Sequence, residues 1–159
     1  MEGGACFDSS GAYRYRLWRA WEPALPIVTF VMLNPSSADA ERDDPTIRRC
    51  IGFARSWGFG RLQTVNLCAY RATSPRALLA SDDPFGPENE QHLLAALANA
   101  DLVIAAWGNH GRSFTPPTFD QNVHHLGLTT LGQPRHPLYV RGETRLVPWI
   151  TGQSEAQTP

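Results

Sequence analysis

The sequence predicts an α/β protein, a three-layer α/β/α sandwich around a short, largely parallel central sheet. Two observations carry that expectation. Ile27-Val28-Thr29-Phe30-Val31-Met32-Leu33 is an almost uninterrupted apolar run, rich in β-branched residues and ended abruptly by Asn34-Pro35-Ser36-Ser37, which is the pattern of a central strand buried on both faces. Later apolar segments, Leu62 to Asn66 and Leu102 to Trp107, alternate with stretches of helical periodicity, as successive βαβ units require. Each of these strands runs into a polar, hydrogen-bonding residue. In an open α/β sheet, ligands bind in the crevice beyond the carboxyl ends of the strands, so Asn34 stands where chemistry is usually done.

Taken in order, Tyr13 to Trp21 alternates large and polar residues with period two and reads as an edge strand with one wet face. The Tyr/Arg alternation also has the elements of a nucleic-acid surface, because aromatic faces stack on bases and Arg finds phosphate. Glu22-Pro23 and Pro26 make the turn into the central strand. A polar loop, Ser36 to Arg42, precedes Asp43-Asp44-Pro45-Thr46, where an Asp caps a helix and Pro45 occupies its first turn. Ile47, Cys50, Ile51, Ala54 and Trp57 follow at helical spacing until Gly58. The second strand leads through Tyr70 and Arg71 to a short helix at Ser74-Pro75. After the turn at Asp82 to Pro87, an amphipathic helix carries His92, Leu93, Leu94, Leu97 and Ala98. The third strand closes on Gly108-Asn109-His110-Gly111. A weaker helix is expected between Pro117 and Leu126, and a short fourth strand, Leu128 to Leu131, feeds Gln133-Pro134-Arg135-His136-Pro137-Leu138-Tyr139.

With 159 residues and 42% hydrophobic composition the chain supports one core, which places a single domain over residues 1–150 and a disordered polar tail over 151–159. A net charge of -1 provides no global basic field for coating nucleic acid, although local contacts remain open. All 14 basic residues are Arg. Cys6, Cys50 and Cys68 lack CxxC spacing, so neither a disulfide framework nor a zinc site is expected. His124 and His125, being adjacent, point to different sides of a helix and make a poor metal pair. The reading is therefore of a protein without metal or organic cofactor and with no obligate protein partner. The absence of a signal-peptide pattern or a membrane-length apolar run leads to the expectation of a cytoplasmic protein. Glycine-rich phosphate loops, the GxSxG elbow and HExxH are absent.

The segments Met32-Leu33-Asn34-Pro35-Ser36-Ser37-Ala38-Asp39, Asp44-Pro45-Thr46-Ile47-Arg48-Arg49-Cys50, Val65 to Ala72, Ala106-Trp107-Gly108-Asn109-His110-Gly111 and Pro134-Arg135-His136-Pro137-Leu138-Tyr139 together resemble the DUF1643 family. The likeness covers nearly the whole chain. A more distant resemblance is to the uracil-DNA glycosylase superfamily, whose order of motifs is similar: a strand ending in Asn-Pro, a strand ending in Asn, a strand ending in Trp-Gly, and a His-Pro turn. Leu33-Asn34-Pro35 resembles the first motif of the mismatch-directed branch, which implies that Asn34 positions the attacking water. Val65-Asn66 resembles the base-reading segment, and His136-Pro137 the motif whose His supports the departing base. The chain differs where the uracil-excising branch has an Asp, at Asn34, and where it has a Ser after His-Pro, at Leu138. It also lacks the aromatic that stacks on uracil in the loop from Pro35 to Thr46. These departures point away from uracil and toward a larger or differently shaped base.

The residue types suit the implied chemistry. Breaking an N-glycosidic bond leaves oxocarbenium character on the sugar and negative charge on the base, so the site needs a placed water and donors aimed at the base. Asn34 and His136 are the catalytic candidates, with Asp44 or Asp43 as the carboxylate if these are more than helix caps. Asn66 can present donor and acceptor together to a flipped base, and Asn109 and Tyr70 are further base-binding candidates. Arg135, Arg71, Arg48 and Ser36 are candidates for DNA phosphates. Leu138 or Tyr139 would be the apolar wedge that fills the gap left by an extruded base. The bland alternative is that Asn34 and Asn66 merely close turns, that His136 caps a buried carbonyl, and that Leu138 and Tyr139 are ordinary core residues. The function expected is excision of a non-standard or modified base from duplex or single-stranded DNA, for example a modified cytosine in phage DNA, in antiviral defence or repair. The rivals are a hydrolase of free nucleosides or nucleotides and a non-catalytic nucleic-acid-binding module.

Overall fold

The computed structural model describes residues 1–120 and 122–149. The expected tail at 151–159, and the domain boundary at 150, lie outside the described residues. Seven strands form one mixed sheet: β1 (Glu2–Phe7), β2 (Arg14–Ala20), β3 (Ile27–Met32), β4 (Arg61–Asn66), β5 (Leu102–Ala105), β6 (Val123–His125) and β7 (Val147–Trp149), in the spatial order β1-β2-β4-β3-β5-β6-β7. Among the described residues three helices, α1 (Pro45–Ser56), α2 (Pro75–Ala80) and α3 (Asn89–Ala98), complete the framework with two 3₁₀ turns, Asn109–Ser113 and Pro137–Tyr139.

All six residues of β3 are buried, and the strand takes the middle place, pairing in parallel with β4 on one side and β5 on the other. Its alternation divides the core into two. Val28, Phe30 and Met32 face α1, packing against Ile47, Cys50, Phe53 and Ala54, whereas Val31, with Val65 and Val103, faces Leu78 of α2 and Leu93 and Leu97 of α3. Helices thus cover both faces. Each fully buried Val, Leu or Phe in these clusters contributes about 1.5–3 kcal/mol by leaving water.

The path of the chain positions the site. From β3 it passes through α1 to β4 on one side, returns by way of α2 and α3 to β5 on the other side of β3, and continues outward to β6. The strand connections therefore diverge from β3 and β5, and a crevice opens at the carboxyl ends of those two strands. α1 is set in place by the Asp44 side chain, which accepts from the Ile47 amide at 2.8 Å, with Pro45 at the first position. Ser74 caps α2 in the same way through the Ala77 amide.

Four expectations are corrected. The sheet is not largely parallel: β4-β3-β5-β6 run in parallel, but β1–β2, β2–β4 and β6–β7 are antiparallel. The Tyr13 to Trp21 strand is not an edge, because β1 pairs along its outer side. Gly3 and Gly4 conceal β1 in the sequence, yet a side chain at Gly4 would collide with the Trp18 ring lying across it. No helix forms between Pro117 and Leu126 among the described residues; Val123–His125 is a strand, with Val123 and His125 buried and His124 between them less so. Leu128 to Leu131 is no strand either. Thr129 and Gln133 close a turn there (2.8 Å), Leu128 makes a single bridge to Pro134, and both leucines are exposed. Among the described residues no helix is long and apolar enough to cross a membrane.

Candidate active site

Three adjoining cavities run along the carboxyl edge of the sheet. The smallest, about 240 Å³, is lined by Asn34, Ser36, Asp44, His136, Leu138 and Tyr139, together with Arg14. A second, about 520 Å³, shares Asn34, His136 and Tyr139 with it and extends over Trp107, Asn109 and Arg135. A third, about 420 Å³, adjoins on the other side through Ser36 and includes Tyr70 and Arg71. Asn34 and His136 therefore stand between two cavities of a continuous groove.

Asn34 follows β3 directly. Its Nδ2 donates to the carbonyl of Ala72 at 3.0 Å, with longer contacts to the carbonyls of Tyr70 (3.4 Å) and Pro35 (3.3 Å). Three acceptors on one side define which amide atom is nitrogen and leave Oδ1 as the acceptor that a water or a ligand donor would meet. Thus the residue both closes the turn, as its simplest reading requires, and keeps one polar atom for a ligand.

His136 caps the 3₁₀ turn Pro137–Tyr139, its Nδ1 accepting from the Leu138 amide at 3.2 Å. An accepting Nδ1 places the proton of the neutral ring on Nε2, making that atom a donor. Burial pushes the imidazole below its ordinary value of 6.5, and the charge of Asp44 opposes the shift. The turn is braced from α1 by Arg49, which donates from Nε to the Pro137 carbonyl at 3.2 Å and from Nη2 to the Val140 carbonyl, while its guanidinium lies over the Phe53 ring. Because the folded protein disfavours protonated His136, the unfolded chain binds the extra proton first as pH falls below 6.5. The stability due to the neutral ring is then present above that pH and is lost progressively below it. An NMR titration of the His136 ring is expected to give a midpoint below 6.5; a midpoint above 6.5 would mean that the ring is stabilised as a cation and is not the neutral donor described.

Asp44 is buried and lines the smallest cavity, but its carboxylate is engaged by the backbone, Oδ1 by the Ile47 amide and Oδ2 by the Ala38 amide at 3.1 Å. Its observed part is to fasten the loop after Asn34 to the start of α1. Asp43 forms an ion pair with Arg19 at 2.8 Å. Asn66 does not line the three cavities: it is buried, with neither amide atom partnered among the described residues, and it neighbours cavity-lining Met32 in sheet register. Tyr70 lies in the third cavity, its ring tilted against Tyr13. Arg71 donates to the Gly11 carbonyl at 3.1 Å and covers the Phe7 ring. Asn109 accepts from the Thr129 hydroxyl at 2.6 Å, and Arg135 is exposed at the mouth of the second cavity. Arg48 is exposed on α1, donates to the Asp43 carbonyl, and lines none of the three cavities. Leu138 and Tyr139 are not core residues; they are 42% and 77% exposed at the rim.

Two residues of the site were not read from the sequence. Arg49 was hidden in a helix beside Arg48, with nothing to distinguish the two. Arg14 lay in an alternating strand whose polar positions pointed to solvent, yet it is 2% exposed and forms part of the cavity wall.

Comparison with curated proteins and with solved structures finds no match. The family model described as a protein of unknown function, DUF1643, matches residues 14–138, a span that takes in Arg14, Asn34, Asp44 and His136, and the chain belongs to that family.

Proposed function

We propose that this protein is a DNA glycosylase that hydrolyses the N-glycosidic bond of a flipped, non-standard or modified base. The observation that carries the reading is the meeting of Asn34 and His136, from distant parts of the chain, at one cavity beyond the ends of β3 and β5. In this reading Asn34 Oδ1 holds the water that attacks the anomeric carbon. The bond to the base breaks and its electron pair leaves with the base as an anion, which the Nε2–H of neutral His136 stabilises by a hydrogen bond; the added water loses its proton to solvent, and the departed base takes up one in turn. An amide cannot act as a strong base, but a transition state with oxocarbenium character asks chiefly for a correctly placed water. Asn109 and Tyr70 flank the base from the neighbouring cavities, and Arg135, Arg71 and Ser36 lie where a strand in the groove would bring its phosphates.

The uracil-DNA glycosylase-like order of motifs supports the same reading, and the absence of an aromatic between Pro35 and Thr46 fits a base other than uracil. A modified cytosine of phage DNA, removed in defence, is one target of that kind. The exposed Leu138 and Tyr139 at the rim, and a groove longer than one base, favour a polymer over a free nucleoside. The test is incubation of the purified protein with DNA panels carrying uracil, mismatches, damaged bases and phage-type cytosine modifications, followed by detection of alkali-labile abasic sites. Cleavage within one panel is expected. Turnover of free nucleosides with no DNA cleaved would replace this reading by a nucleoside hydrolase, and DNA binding without cleavage of either substrate would replace it by a binding module.

A further inference from the structure

Arg14 is the largest of the fully buried side chains, and it sits in the wall of the smallest cavity beside Asn34 and His136. Its Nη1 donates to the Ala38 carbonyl at 2.9 Å, while its Nε is enclosed without an acceptor among the described residues. Asp44 lines the same cavity, yet no ion pair joins the two among the described residues, and both Asp44 oxygens already accept from backbone amides. Burial lowers the Arg14 pKa to about 10, with Asp44 opposing the shift and Arg71 and Arg19 adding to it, so the group remains a cation at neutral pH. A buried guanidinium short of acceptors is costly, and the cost is recovered when a bound group supplies them.

We propose that Arg14 forms the floor of an anion subsite in this cavity, taking a carboxylate or phosphate of the ligand through charge-assisted hydrogen bonds. Both groups present paired acceptor oxygens that match the planar guanidinium. The cavity, about 240 Å³, has room for a heterocycle bearing the anion, and any remainder of a larger ligand falls to the adjoining cavities. The assignment of that heterocycle as a base rests on the function proposed above; the anion subsite itself does not.

The experiment follows the Arg14 Nε–H signal of the full chain in ¹⁵N-correlated spectra while orotate, uracil or inorganic phosphate is added. Orotate, a pyrimidine carboxylate, is expected to shift the signal and to raise the melting temperature, whereas uracil at equal concentration leaves the signal in place. Arg14→Lys, which keeps the charge but loses the planar fork, is expected to weaken orotate binding at least tenfold. Should that variant fail to fold, the signal is assigned through its own backbone and the titration of the native chain decides. A response to phosphate with none to orotate overturns the heterocycle and retains the anion; no response to either overturns the subsite. Because the readout needs no excision, anion binding alongside uncleaved DNA would sink the glycosylase reading alone, and cleavage without anion binding would sink this one alone.

Discussion

Asn34→Ala and His136→Ala are each expected to lower the single-turnover excision rate by a factor on the order of a hundred or more, the scale of losing one donor or one positioned reactant in the transition state. DNA affinity should stay within about twofold, because neither side chain is placed as a phosphate contact. The two losses should not multiply in the double variant, since a placed water and a stabilised leaving base serve one step. Asn34 also holds the Ala72 carbonyl, so its alanine variant must be compared by thermal melting before any rate is interpreted. Folded variants with undiminished excision would leave the convergence of these residues without chemical meaning.

The second large effect is expected at the rim. Leu138→Ala and Tyr139→Ala should lower excision from duplex DNA roughly tenfold more than excision from a single strand, a difference of about 1.4 kcal/mol, because only the duplex leaves a gap to be filled when its base is extruded. Both side chains are exposed, so folding stability should change by no more than about 0.5 kcal/mol and the comparison remains interpretable. Equal losses on the two substrates would remove the wedge role and leave these residues as part of the cavity rim.

The core of the fold was legible because its signals are local. An apolar run rich in β-branched residues and cut off by Asn34-Pro35 reads as an interior strand, and Asp44-Pro45 and Ser74-Pro75 announce helices through their own backbone chemistry. The margins were not legible. β1 carries two glycines, whose value lies in the room they give to Trp18 and Arg19, and β6 is only three residues long. Such strands are defined by the neighbour they pair with, not by a pattern of their own. The same division holds at the site. Asn34 directly follows β3 at the carboxyl edge, and the loop before His136 is held to that edge where the Gly108 amide donates to the Pro134 carbonyl at 2.8 Å. Arg14 owes its burial to a distant loop, through Ala38, which no periodicity in β2 reveals.

The two walls of the cleft hang from one beam. The loop after Asn34 is tied to the amino end of α1 through Asp44 and Ala38, and the turn bearing His136 is tied to the same helix through Arg49. Neither wall can swing without dragging a helix whose inner face is embedded in the sheet. α1 is thus a support shared by both walls, beside the separate anchors of Asn34 on the Ala72 carbonyl and of the His136 segment on Gly108, and detachment of α1 is expected to loosen both halves of the site together.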